Sequence, residues 1–270
     1  MIRGITQRIL ERMKLTVFRG PQFHFYKDTW DPLSAPNPDS FESRLLALPH
    51  GQIAQIALKS RLCLLAIPKN ANTVMRIWTN QLERSQWDLA SVRGAAPISN
   101  AYAPSSQWCH TVAQIPAGMR QSLSSEDFCT VMVIRNPFDR FVSCFRDKSA
   151  SPQSTVTRKL PPRAWSSPEA FARHLDKKEN LFRDGHWAPQ SWQVWPLLGD
   201  INVLIRAETL STDLSQFLPD ACSRVPPPER HDHPGVTTGS LAVRNELSNY
   251  TQGAIRALFA EDFKLWFPDV

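Results

Sequence analysis

No stretch of this chain approaches the roughly 18 consecutive apolar residues of a membrane span, and the opening residues, MIRGITQRILERMKL, lack the apolar core of a secretory signal. A cytoplasmic location is the expectation. The five cysteines (Cys63, Cys109, Cys129, Cys144, Cys222) are odd in number and form no CxxC pair. That argues against a disulfide framework and for a reduced interior. Cys63 and Cys129 stand in or beside apolar runs, where a thiol packs as a small hydrophobe. Internal repeats are absent, and no shift in composition marks a domain linker. Also missing is the GxxxxGK[ST] loop of ATP-binding proteins.

What is present describes a globular chain with a sizeable core: 270 residues, 42% hydrophobic and 21% charged. Lys and Arg exceed Asp and Glu, 31 against 25, giving a net charge of +6. Such an excess suits an anionic ligand, an acidic surface or nucleic acid, and charge alone does not choose among them. In the first residues Ile2, Ile5, Ile9 and Met13 repeat at helical spacing with Arg3, Arg8, Arg12 and Lys14 between them. A surface helix is the leading reading. Peripheral membrane contact through residues 1–15 is the second.

Residues 1–45 read as a lead-in, irregular over 20–40, and residues 46–270 as a single domain. Arg61 to Ile67 (RLCLLAI) is a buried-strand pattern stopped by Pro68. A helix is predicted over 74–87, with Met75, Trp78 and Leu82 as its apolar stripe. Thr130 to Ile134 (TVMVI) is the second strand pattern. After it, Asn136 suits an N-cap, Pro137 the first helical position and Asp139 the first turn. Phe138, Phe141, Val142 and Phe145 then recur at i, i+3, i+4, i+7, with Arg140 and Ser143 off that stripe. Residues 149–168 are Ser- and Pro-rich and predict a long surface loop. A third strand is expected over 201–205 with helix-start chemistry at Ser211 to Asp213. An irregular stretch covers 223–240, and a final helix is expected from 249 to 266. Strands alternating with helices predict an α/β fold with a mainly parallel sheet.

Two of these strand-to-helix connections carry a cation and a hydroxyl. Pro68-Lys69-Asn70-Ala71-Asn72-Thr73 precedes the first long helix, where backbone N–H groups and the helix dipole favour phosphate. Lys69 would add charge and Thr73 a hydroxyl. The loop has no glycine, and its Lys stands four residues before the Thr, so ATP is not the expected ligand. Arg135 follows the second strand at the end where open α/β sheets bind ligands. Its guanidinium can fork onto a phosphate, and Ser143, two turns into the helix, can add a hydrogen bond.

Together these segments resemble the carbohydrate sulfotransferases that use 3′-phosphoadenosine 5′-phosphosulfate (PAPS), in particular the Golgi family acting on chondroitin, dermatan and related glycans. That family shows a PKxAxT-like loop, here Pro68 to Thr73, and an R-[ND]-P-[FY]-x-R-[LF]-V-S segment, here Arg135 to Ser143. Two further stretches match: His186-Trp187-Ala188-Pro189-Gln190, followed by a strand ending at Glu208-Thr209-Leu210, and Phe259 to Trp266 (FAEDFKLW). The likeness covers roughly residues 60–270, a span suited to one domain. No N-terminal membrane anchor like that family's is seen in this sequence, so Golgi residence is not expected.

The resemblance implies a P-loop-like three-layer fold with a central sheet flanked by helices, and transfer of a sulfuryl group from PAPS to a carbohydrate or glycoconjugate hydroxyl. Pro68, Lys69, Asn70, Ala71, Asn72 and Thr73 would hold the 5′-phosphosulfate, with Arg76 as a weaker candidate. Arg135 and Ser143 would hold the 3′-phosphate. Lys69 would also neutralise the departing phosphate. A base of near-neutral pKa is expected to be a histidine. His110, between the two motifs, leads, and His186 is second; Glu208 is a carboxylate alternative. No metal is expected: His231-Asp232-His233 reads as a solvated loop after three prolines. Competing readings are an ATP-dependent phosphotransferase and a non-enzymatic polyanion-binding protein. No nucleic-acid partner is expected.

Overall fold

The computed structural model describes residues 40–49, 53–86, 109–121, 123–228 and 245–270. The basic N-terminal pattern and the His231-Asp232-His233 cluster lie outside the described residues. In chain order the elements used below are α1 (Phe41–Leu46), β1 (Ala54–Ala57), β2 (Leu62–Leu65), α2 (Asn72–Ser85), β3 (Cys129–Ile134), α3 (Pro137–Ser149), α4 (Pro168–Leu175), α5 (Gln190–Val194), β4 (Val203–Arg206), α6 (Leu210–Phe217), α7 (Asn249–Leu258) and α8 (Ala260–Trp266). The described residues fall into two compact units. One is drawn from Pro38–Ile134 and Pro196–Val236 and holds the sheet; the other is drawn from Arg135–Trp195 and Thr237–Val270 and is helical.

The sheet has strand order β1-β2-β3-β4. The β1–β2 pair is an antiparallel hairpin, and β2–β3 and β3–β4 are parallel. The sheet is therefore mainly parallel, and the fold is α/β. Alternate residues show why the strand patterns are continuous apolar runs. Leu62, Leu64, Val131 and Val133 join a core with Met75, Trp78 and Leu82 of α2 and Leu210 and Leu214 of α6. Cys63, Leu65, Met132 and Ile134 point the other way and are buried too. A strand buried on both faces loses its polar alternation.

The three expected strands and the α2 stripe are found where their patterns predict them. β1 is an addition. Its hairpin turn is pinned by Glu83, a buried carboxylate of α2 whose two oxygens accept the Lys59 and Ser60 amides at 2.8 Å each. The expected lead-in ends in α1, and Arg44 of α1 forks onto Asp200 at 2.7 and 2.9 Å.

In the helical unit, α3 begins as its cap chemistry predicts, with Asn136 Oδ1 accepting the Phe138 amide at 2.9 Å. The 149–168 segment is ordered by its own packing. Thr157 accepts from the Trp165 indole through its carbonyl and donates through its hydroxyl to the Ser151 carbonyl, and the Trp165 ring stacks on Phe171 of α4. The helix expected over 249–266 is two helices, α7 and α8, broken at Phe259 (φ −115°, ψ 27°). The third strand ends at Arg206; Ala207–Thr209 form a 3-10 turn and Leu210 starts α6.

Candidate active site

The Lys69 loop leaves β2 through buried Ala66 and Ile67 and turns at Pro68. Lys69 (φ 73°) and Ala71 (φ 55°) both take the left-handed conformation, which costs a non-glycine residue about 1–2 kcal/mol. Two positive-φ residues flanking Asn70 turn the chain sharply between β2 and α2, and the Asn70 backbone amide donates back to the Ile67 carbonyl at 3.2 Å. Ala71 is the N-cap of α2 and supplies no side-chain cap. The first i→i−4 bond of α2 runs from the Met75 amide to the Ala71 carbonyl at 3.0 Å, so the Asn72, Thr73 and Val74 amides precede the helical ladder.

Asn70 and Asn72 work within this turn. Asn70 is 1% exposed, and its side-chain amide donates to the Val133 carbonyl of β3 at 2.8 Å. The Asn70 side chain therefore ties the turn to the sheet. Asn72 Oδ1 accepts from Arg76 Nε at 2.6 Å, one turn along α2. Lys69, Ala71, Thr73 and Arg76 are half-buried.

His110 belongs to the same unit. Its backbone exchanges two hydrogen bonds with Ile56, at 2.7 and 2.9 Å, adding one residue to the sheet beside β1. Ile56 pairs with Cys63, so His110 stands level with the middle of β2. The preceding Cys109 amide donates to Asn80 Oδ1 of α2 at 3.0 Å. One helix thus carries the Lys69 loop at its start and fixes the histidine segment two turns later. Glu208, in the 3-10 turn after β4, is half-buried.

The second motif sits in the helical unit. Arg135 is half-buried, and its backbone is gripped by Gln190: its N–H donates to Gln190 Oε1 and its C=O accepts from Gln190 Nε2, both at 2.9 Å. Ser143 is half-buried on α3. Arg140, set off the apolar stripe in the sequence pattern, is 2% exposed. Its guanidinium donates to the Gly185 carbonyl at 2.7 Å and the Ala188 carbonyl at 2.8 Å. Burial lowers its pKa to about 10, still charged at neutral pH. Two charge-assisted bonds satisfy a cation that would otherwise be costly to bury.

That pair of carbonyls brackets His186. His186 Nδ1 lies 2.6 Å from Asp184 Oδ1, and its backbone N–H donates to the same oxygen at 2.9 Å. Lys159 bonds the other carboxylate oxygen. Burial alone would raise the Asp184 pKa, but His186 and Lys159 hold it well below the usual carboxylate range. A histidine with Nδ1 on a carboxylate presents Nε2 as its second functional atom. Four of the five thiols are held protonated: burial pushes Cys63 up to about 12 and raises Cys109, Cys129 and Cys222 as well.

An α/β sheet whose β2 leads into a left-handed, uncapped helix start, and whose β3 leads into an arginine and a capped helix, defines a protein of the P-loop-like class without the ATP-type glycines. The family model for the sulfotransferase family matches residues 55–267, and the chain belongs to that family. Searches of curated proteins and of solved structures return no match. Among the described residues no helix is long and apolar enough to cross a membrane.

The sequence motifs thus fall on real strand-to-helix junctions, with Lys69 and His110 in the sheet unit and Arg135, Ser143 and His186 in the helical unit. Sequence reasoning missed Asp184, Gln190 and Asp262 as supporting groups. Gln190 and Asp262 stood inside matched stretches, and Asp184 stands two residues before His186.

Proposed function

We propose that this protein transfers the sulfuryl group of PAPS to a carbohydrate hydroxyl. The observation that carries the reading is the Lys69–Ala71 turn: strained left-handed backbone at the uncapped start of a 14-residue helix, within the span that matches the sulfotransferase family. Strain of this kind gathers where a ligand needs it.

The residues present suit such a donor. The Asn72–Val74 amides, the Thr73 hydroxyl and the Lys69 ammonium are donors only or can act as donors, as a 5′-phosphosulfate requires. Arg135 supplies the fork and Ser143 the hydroxyl for a 3′-phosphate. Arg76 is a further cation one turn into α2. The donor supplies an activated S–O bond to phosphate, which breaks as a new S–O bond forms to the acceptor oxygen.

Lys69 neutralises charge on the 5′-phosphate oxygen that takes the bonding pair. His110 takes the acceptor's hydroxyl proton at a ring nitrogen. His186 is the second candidate, favoured by its Asp184 partner. Catalysis on this scheme is chiefly positioning and charge stabilisation, as in phosphoryl transfer.

We further propose that residues 46–270 act as one catalytic domain, that the protein works in the cytoplasm, and that residues 1–15 are its route to any membrane surface. The test is acceptor-dependent release of 3′-phosphoadenosine 5′-phosphate (PAP) from PAPS, read against chondroitin, dermatan and smaller oligosaccharides. Release with a carbohydrate, sharply lowered by Lys69→Ala, supports the proposal. Turnover of ATP with Mg²⁺ and none of PAPS overturns it.

A further inference from the structure

Behind Arg135 stands a buried polar chain that phosphate binding alone does not explain. Asp262 of α8 is 0% exposed. Its Oδ1 accepts the Ser191 amide at 2.8 Å, and its Oδ2 accepts the Gln190 amide at 2.8 Å and Gln190 Nε2 at 3.3 Å. A carboxylate removed from water is tolerable when its oxygens are filled in this way. The carboxylate caps the start of α5, which has no cap from its own N-cap residue, Pro189.

Gln190, likewise 0% exposed, spends both ends of its amide on the backbone of Arg135. A side chain that takes both the N–H and the C=O of one residue acts as a single rung of sheet and fixes that residue's backbone. On the C-terminal side the chain is locked again, by the Asn136 cap and the fixed φ of Pro137.

We propose that Asp262 and Gln190 are positioning residues for Arg135: Asp262 orients the Gln190 amide, and Gln190 fixes the backbone from which the guanidinium reaches the nucleotide. The proposal rests on the donor-binding role of Arg135 given above. Its physical content is preorganisation. An arginine whose backbone is already fixed loses less freedom when it binds, and the binding energy appears as affinity. It also gives the Gln190 stretch and the Asp262 stretch, 72 residues apart in sequence, one shared task.

The experiment is calorimetric titration of the full chain with PAP, for wild type, Arg135→Ala, Gln190→Met and the double variant. Methionine keeps the length of glutamine and removes both bonds. The expected results are roughly tenfold weaker binding for Gln190→Met, a larger loss for Arg135→Ala, and a double variant no weaker than Arg135→Ala. Donor KM should rise with acceptor KM unchanged, a split that a loss of folded protein would not produce.

If Arg135→Ala abolishes binding but Gln190→Met binds as wild type, or the two losses multiply, the positioning role is overturned and the donor reading stands. If Arg135→Ala binds PAP unchanged, the donor reading itself fails and takes the inference with it. Should Gln190→Met not fold, Asp262→Asn replaces it, because its amide nitrogen opposes the Gln190 N–H. If neither variant folds, the pair is scaffolding and the proposal is overturned.

Discussion

The side-chain amide of Asn70 donates to the Val133 carbonyl, 2.8 Å away, and so fastens the loop after β2 to the neighbouring strand one residue before that strand ends. The bond is buried and joins residues 63 apart in sequence. It explains how a loop without glycine holds two left-handed residues: the middle residue is anchored, and the strain on either side is over-determined by the sheet. The loop's shape is thus set before any ligand arrives.

Relieving that strain should be measurable. Ala71→Gly removes the Cβ from a left-handed position, while the added freedom of glycine in the unfolded chain offsets part of the gain. A net stabilisation of about 0.5 kcal/mol is expected from urea denaturation. Ala71→Val should destabilise, since a β-branched residue tolerates this conformation least.

Lys69→Ala should leave the urea midpoint near wild type and lower kcat for PAPS about 100-fold, the scale for losing one transition-state charge contact. Lys69→Arg should recover part of it. An equal fall in stability and rate would mean that Lys69 acts on the fold.

Arg140 is expected to be a structural cation. Arg140→Met removes two charge-assisted bonds to buried carbonyls and should cost about 3 kcal/mol in chemical denaturation. Arg140→Lys should recover less than half, because an ammonium cannot span the Gly185 and Ala188 carbonyls as a fork does. A near-neutral Arg140→Met would contradict this.

The Asp184 carboxyl titrates below its ordinary value of about 3.9 because of His186 and Lys159. A depressed carboxyl stabilises the folded state above the unfolded pKa and loses that contribution as pH falls. The stability gap between wild type and Asp184→Asn should therefore be full at pH 7 and shrink from about pH 4 downward. Urea midpoints at pH 7, 4 and 3 would show it, and an equal gap at all three would refute it.

The readable part of the fold was the part specified locally. TVMVI followed by Asn136-Pro137 carries a buried strand, a cap and a helix start within ten residues, and RLCLLAI stopped by Pro68 is almost as explicit. β1 was illegible because Ala54–Ala57 contains one β-branched residue and owes its extension to pairing with β2 and His110. The break at Phe259 escaped because the apolar period runs on through Phe263, and both rings are buried. Arg140 showed only as a residue off the apolar stripe because its partners, Gly185 and Ala188, lie 45 and 48 residues away. A separation of 55 residues likewise hid the pairing of Gln190 with Arg135. The cations of the candidate site stand out in the sequence; the buried groups packed behind Arg135 do not.

The most direct test of the account is calorimetric titration with PAP in competition with ATP and Mg²⁺. Tight PAP binding, lost in Arg135→Ala and not displaced by ATP, is the predicted result. Failure to bind PAP, or preference for ATP with Mg²⁺, would contradict it.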